Sequence, residues 1–75
     1  MPRPSAWELA PDESVCLWPD DSLAGRVLAD GRWFVFAPGI ARPGKADSPH
    51  VKAGRSVSQR GARLQVEREL AALFR

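Results

Sequence analysis

The sequence has one cysteine, one histidine and no tyrosine, asparagine or threonine. With Cys16 alone, no intrachain disulfide can form. Cys16 and His50 together also fall short of the three or four ligands of an ordinary Cys/His zinc site within one chain. Long apolar runs are missing too: nothing approaches the roughly 18 residues of a membrane span. Met1-Pro2-Arg3-Pro4 is not followed by the apolar stretch of a signal peptide, so the expected location is the cytoplasm. The six glycines make neither G-x-G-x-x-G nor a P-loop, which removes the sequence argument for nucleotide binding. Lysine and isoleucine are scarce, at 2 and 1, against 11 alanines, 9 arginines and 7 prolines. That bias towards residues with GC-rich codons points to a high-GC bacterial genome, or to a phage or mobile element living in one.

What is present fits one small domain, 1–75. Seventy-five residues at 44% hydrophobic and 27% charged is a globular composition, and at this size folding is marginal without help. A pocket of roughly 300 Å³ or more is not expected in so short a chain. Cys16 and His50 form the one candidate thiol–imidazole couple, with nothing in the sequence to bring them together. Cys16 reads as a small apolar strand residue, and Asp20-Asp21 as turn formers rather than an acid/base dyad. No enzymatic activity, metal or cofactor is expected.

The net charge of +2 conceals an asymmetry. Residues 1–31 carry a net −4 and residues 32–75 a net +6. Such a split suits either mutual complementation or a basic face that meets an anionic partner.

Residues 1–13, with Pro2, Pro4 and Pro11, read as an extended arm. Residues 14–57 read as the sheet region, with a basic loop over 38–50. Ser14–Trp18 is a short strand candidate. Arg26–Ala29 and Arg32–Ala37 flank Asp30-Gly31, a two-residue hairpin signal. His50–Val57 offers a further strand. A two-residue loop pairs Leu28 with Trp33 and Val27 with Phe34. It therefore puts Val27, Phe34 and Phe36 on one side, and Leu28, Trp33 and Val35 on the other. Both sides are apolar, where a sheet with one wet face would alternate cleanly.

Residues 58–74 read as a helix. Ser56 and Gln59 fit a capping box, with Ser58 as a rival cap. Ala62, Val66, Leu70, Leu73 and Phe74 form its apolar stripe, expected to cover the Phe34/Phe36 side. The fold class is thus α+β: a small antiparallel sheet of about three strands with one C-terminal amphipathic helix. The Leu28/Trp33/Val35 side is left for a second protomer or another partner, so a homodimer is expected.

Arg42, Lys45, Lys52, Arg55, Arg60 and Arg63 are opposed within their segment only by Asp47. Three of them flank the start of the helix, where its dipole already disfavours cations; an anionic partner would compensate. These six residues are the candidate partner-binding set.

Asp30-Gly31-Arg32-Trp33, a later basic strand and the 56–74 helix resemble the sheet-plus-helix domains with which phage integrases read DNA. This resemblance implies a DNA-binding domain that uses the basic 42–63 segment. As a whole chain, the sequence resembles the small inhibitors made by phages and mobile elements, of which anti-CRISPR proteins are the best-known class. That resemblance implies steric inhibition of a bacterial defence nucleoprotein complex, with a host protein or nucleoprotein as partner. A small subunit completing a larger assembly is a third expectation.

Overall fold

The computed structural model describes residues 3–44 and 49–74. Its elements are β1 (Glu8–Leu9), β2 (Glu13–Leu17), β3 (Leu23–Leu28), β4 (Arg32–Val35), β5 (Lys52–Arg55) and α1 (Gln59–Leu73). The strands form one antiparallel sheet in sequence order. The α+β class holds, with five strands among the described residues in place of about three.

Part of the difference is the arm. Between Pro4 and Pro11 lies a proline-free window whose amides can pair, and there Glu8 lies opposite Val15 and Leu9 opposite Ser14. Proline is tolerated at such an edge because its missing N–H costs no ladder bond on the open side. The arm is tied down further along. The Ser5 N–H donates to the Leu17 carbonyl at 2.7 Å, and the Leu17 N–H donates to Ser5 Oγ at 3.0 Å.

The β3–β4 hairpin corrects the predicted register. Val27 pairs with Trp33, Arg26 with Phe34 and Gly25 with Val35. The loop has three residues, Ala29-Asp30-Gly31, closed by the Gly31 N–H donating to the Leu28 carbonyl at 3.0 Å. Gly31 has φ +88°, whereas Asp30 is not among the positive-φ residues. This is a tight turn followed by a left-handed glycine, the three-residue alternative to the two-residue loop. A slip of one residue turns side chains to the other face. Trp33 and Val35, expected on a free apolar face with Leu28, instead lie beneath α1, 5% and 0% exposed. Leu28 stays on the helix-free face, half-buried, joined there by Phe34.

The helix correspondingly covers Val27, Trp33 and Val35 rather than Phe34 and Phe36. Its buried stripe is Ala62, Val66 and Leu70, packed with Cys16, Trp18 and Ala24. Leu73 leaves the stripe, half exposed, and Phe74 forms the C-cap. The N-cap is Ser58, whose hydroxyl accepts from the Gly61 N–H at 3.1 Å. Ser56 is not the cap; its N–H donates to the Gly31 carbonyl at 3.0 Å and so ties the helix lead-in to the hairpin turn. Gly54 lies directly over the Trp33 indole, where any β-carbon would overlap the ring. This strand glycine marks a close approach rather than a weak strand.

A second, smaller cluster lies on the other face. Leu23, Phe36 and Ala41 are buried there, with Val15, Leu17 and Phe34 packed against them. The chain after Phe36 folds back over it: the Leu23 N–H donates to the Ala41 carbonyl at 2.8 Å, and the Gly39 N–H to Ser22 Oγ at 2.8 Å.

Candidate functional site

The six cations singled out in the sequence do not form one patch. Lys45 lies outside the described residues. Lys52 points to the helix side and pairs with Glu69 at 2.6 Å. Arg42 donates to the Asp20 carbonyl at 3.2 Å, next to the start of β3. Arg55 lies level with the other end of β3, about 17 Å along the strand by the five rises from Leu23 to Leu28. Arg60 is exposed in the first turn of α1, and Arg63 is half-buried one turn on.

What the fold does assemble is a cationic end at the β3–β4 turn. Arg32, which the sequence argument passed over, lies directly opposite Arg55 across β4 and β5. Like charges in that position repel. Asp30 is the carboxylate beside them: the Arg32 side chain donates to it at 2.8 Å and the Arg32 N–H at 3.1 Å. Its carboxyl is held below the ordinary range chiefly by that backbone N–H, with the Arg32 and Arg55 charges acting in the same direction. No acidic residue occupies the first turn of α1, so Arg60 and the positive end of the helix dipole add further positive charge to this end.

The helix-free sheet face adjoins this cationic end. Val15, Leu17, Leu28 and Phe34 lie half-buried along it. Arg26 and Glu13 form an ion pair beside them. His50 meets Phe34 edge to face, ring centroids 5.2 Å apart. Sequence reasoning missed Val15 and Leu17 as members of this face. The sequence carried no such signal: Glu13 to Leu17 alternates in burial but not in polarity, because the polar Ser14 is buried with Cys16 while the apolar Val15 and Leu17 lie on the other face.

Cys16 and His50 do not form a nucleophile–base couple. Cys16 packs on the helix side, and His50 sits on the opposite face against Phe34, so the sheet separates them. Burial pushes the Cys16 thiol from its ordinary 9.0 up to about 12. Alkylation by iodoacetamide at pH 8 is therefore expected to be negligible in the folded chain and rapid after denaturation. Because the folded-state value is the raised one, Cys16 favours the fold below pH 9.0 and that contribution declines as pH rises towards 12. A urea midpoint that falls between pH 8 and 10 in wild type but less in Cys16→Ala would show it.

A cleft of about 770 Å³ opens between the arm and the C-terminal half of α1, larger than a chain of this length is expected to hold. Trp7, Trp18, Phe74 and Glu67 line it, and Cys16 lies at its floor. Among the described residues no three His, Cys, Asp or Glu side chains gather as a metal site. Among the described residues no helix is long and apolar enough to cross a membrane. Comparison with known protein families, characterised proteins and solved structures finds no match to this chain.

Proposed function

We propose that this chain is a non-enzymatic binding protein of the phage or mobile-element inhibitor type. Its helix-free sheet face binds a host nucleoprotein complex and blocks that complex sterically. The observation that carries this reading is the combination on one face: a half-buried apolar strip of Val15, Leu28 and Phe34 bordered by the opposed Arg32 and Arg55. An apolar centre with a charged rim is the anatomy of a protein interface. An acidic partner surface would also relieve the Arg32–Arg55 repulsion. The apolar partner face expected from sequence is thereby moved from Leu28, Trp33 and Val35 to Val15, Leu28 and Phe34. Arg55 is retained from the cationic set and Arg32 is added.

The same two arginines, with Arg60, favour a second reading in which the cationic end contacts nucleic acid directly. The sheet face argues against groove reading, since Arg26 is already paired with Glu13 and the centre is apolar. Purified CRISPR effector complexes loaded with guide RNA provide the test. Wild-type chain should co-elute with an effector and reduce its capture of target DNA. Phe34→Glu should abolish both effects while leaving the circular dichroism unchanged. Failure to co-elute with any effector type overturns this assignment. Duplex binding by the free chain, weakening with salt at a log–log slope of roughly −0.9 per phosphate, would establish the second reading instead.

A further inference from the structure

We propose that the cleft between the arm and α1 is a binding site for a small organic ammonium ion carried on an apolar body. The site is separate from the sheet face, on the opposite side of β2.

Its wall chemistry supports this assignment. Trp7, Trp18 and Phe74 line the cleft, and Leu70 and Ala71 add apolar surface from the helix. Trp18 and Phe74 are locked edge to face, centroids 5.4 Å apart, which fixes the orientation of that wall. One carboxylate lines the cleft beside these rings, the solvent-exposed Glu67, held by the Trp7 indole N–H donating to Oε2 at 3.0 Å. That bond joins residues 60 positions apart, so the carboxylate is set in place by tertiary structure rather than by its own helix. Among the described residues no lysine or arginine lies within ion-pair distance of Glu67. Arg3 stands at the rim without pairing to it.

Aromatic rings around a single carboxylate are the means by which proteins hold alkylammonium groups: the ring faces attract the cation and the carboxylate supplies the counter-charge. A neutral apolar guest would gain nothing from the carboxylate, and an anion would be repelled by it. A volume of about 770 Å³ lies within the range of small-molecule sites and leaves room for an organic body beyond the charged head.

The test is a nuclear magnetic resonance titration of the full chain with benzyltrimethylammonium chloride, matched in ionic strength with sodium chloride. Its reference is the neutral carbon isostere of the same cation. The indole N–H signals of Trp7 and Trp18 should shift saturably, while that of Trp33, enclosed beneath Gly54 and α1, should stay. Glu67→Gln keeps an acceptor for the Trp7 N–H, so the cleft should persist while affinity for the cation drops about tenfold. Arg3→Ala should raise affinity by removing the like charge at the rim. No saturable shift in wild type, equal affinity for the neutral isostere, or unchanged affinity in Glu67→Gln would each overturn the assignment. None of these outcomes depends on the effector experiment, whose variant lies on the other face.

Discussion

Trp18→Ala is expected to leave the chain largely unfolded at room temperature. Trp18 is 2% exposed and joins three parts of the molecule. It follows β2 and packs in the main core. Its indole N–H donates to the Phe36 carbonyl at 3.0 Å, and its ring meets Phe74 at the end of α1. Truncating a buried tryptophan to alanine costs about 3–5 kcal/mol. The Phe36 carbonyl would also lose its buried donor, for about 1–3 kcal/mol more. At about 0.05–0.15 kcal/mol per residue, a chain of this length has about 4–11 kcal/mol in total. The substitution removes a large part of any value in that range. Urea unfolding followed by far-ultraviolet circular dichroism measures the loss. Trp18→Phe keeps most of the apolar area and drops only the N–H, so it should cost about 1–3 kcal/mol and remain folded. An unchanged midpoint in Trp18→Ala would mean that the indole does not link β2, the loop and the helix as described.

Trp18 also shows what could be read from the sequence. Its place at the end of an apolar run stopped by Pro19 marked a strand end, and the 3.6-residue stripe of Ala62, Val66 and Leu70 marked the helix. Both are local signals, and both appear in the fold. The assignment of faces was not local. It depended on whether Asp30-Gly31 makes the whole loop or the last two residues of a three-residue loop. The dipeptide suits either, since only Gly31 needs a positive φ in the longer one. One residue of register then decided whether Trp33 or Phe34 faced the helix. Gly54 is the informative residue: only a glycine there leaves room for the Trp33 ring, so the pair fixes the register from the partner strand.

The candidate surface was harder to read for a related reason. Of the six cations clustered in sequence, Lys52 forms an ion pair with Glu69, Arg42 contacts the Asp20 carbonyl and Arg55 lies at the hairpin end. Arg32 lay outside the sequence cluster, yet strand pairing places it against Arg55. Charge density along the chain says how much repulsion is available. Strand order and register say where it accumulates, and those are settled by the apolar residues between the charges.

Gly31→Ala should be the most damaging single-methyl change in the chain, and it tests the register directly. At φ +88° a β-carbon is disfavoured by about 1–2 kcal/mol through backbone sterics alone. Here the added carbon would also run into the backbone oxygen of Ser56, which cannot swing aside as a flexible side chain can. Ser56 is held by its own N–H donating to the Gly31 carbonyl, so relieving the clash parts the hairpin turn from the lead-in to α1. The expected loss is about 3 kcal/mol or more, at the upper end for point substitutions. Gly44→Ala separates the two contributions. Gly44 has φ +86° and, among the described residues, nothing within 4 Å of the added carbon, so the conformational cost of about 1–2 kcal/mol is what applies. Equal losses in the two variants would refute the Gly31–Ser56 contact. A nuclear Overhauser effect between Val27 and Phe34 in place of Val27 and Trp33 would refute the three-residue loop itself. The helix would then cover the other face, and the partner surface would return to Leu28, Trp33 and Val35.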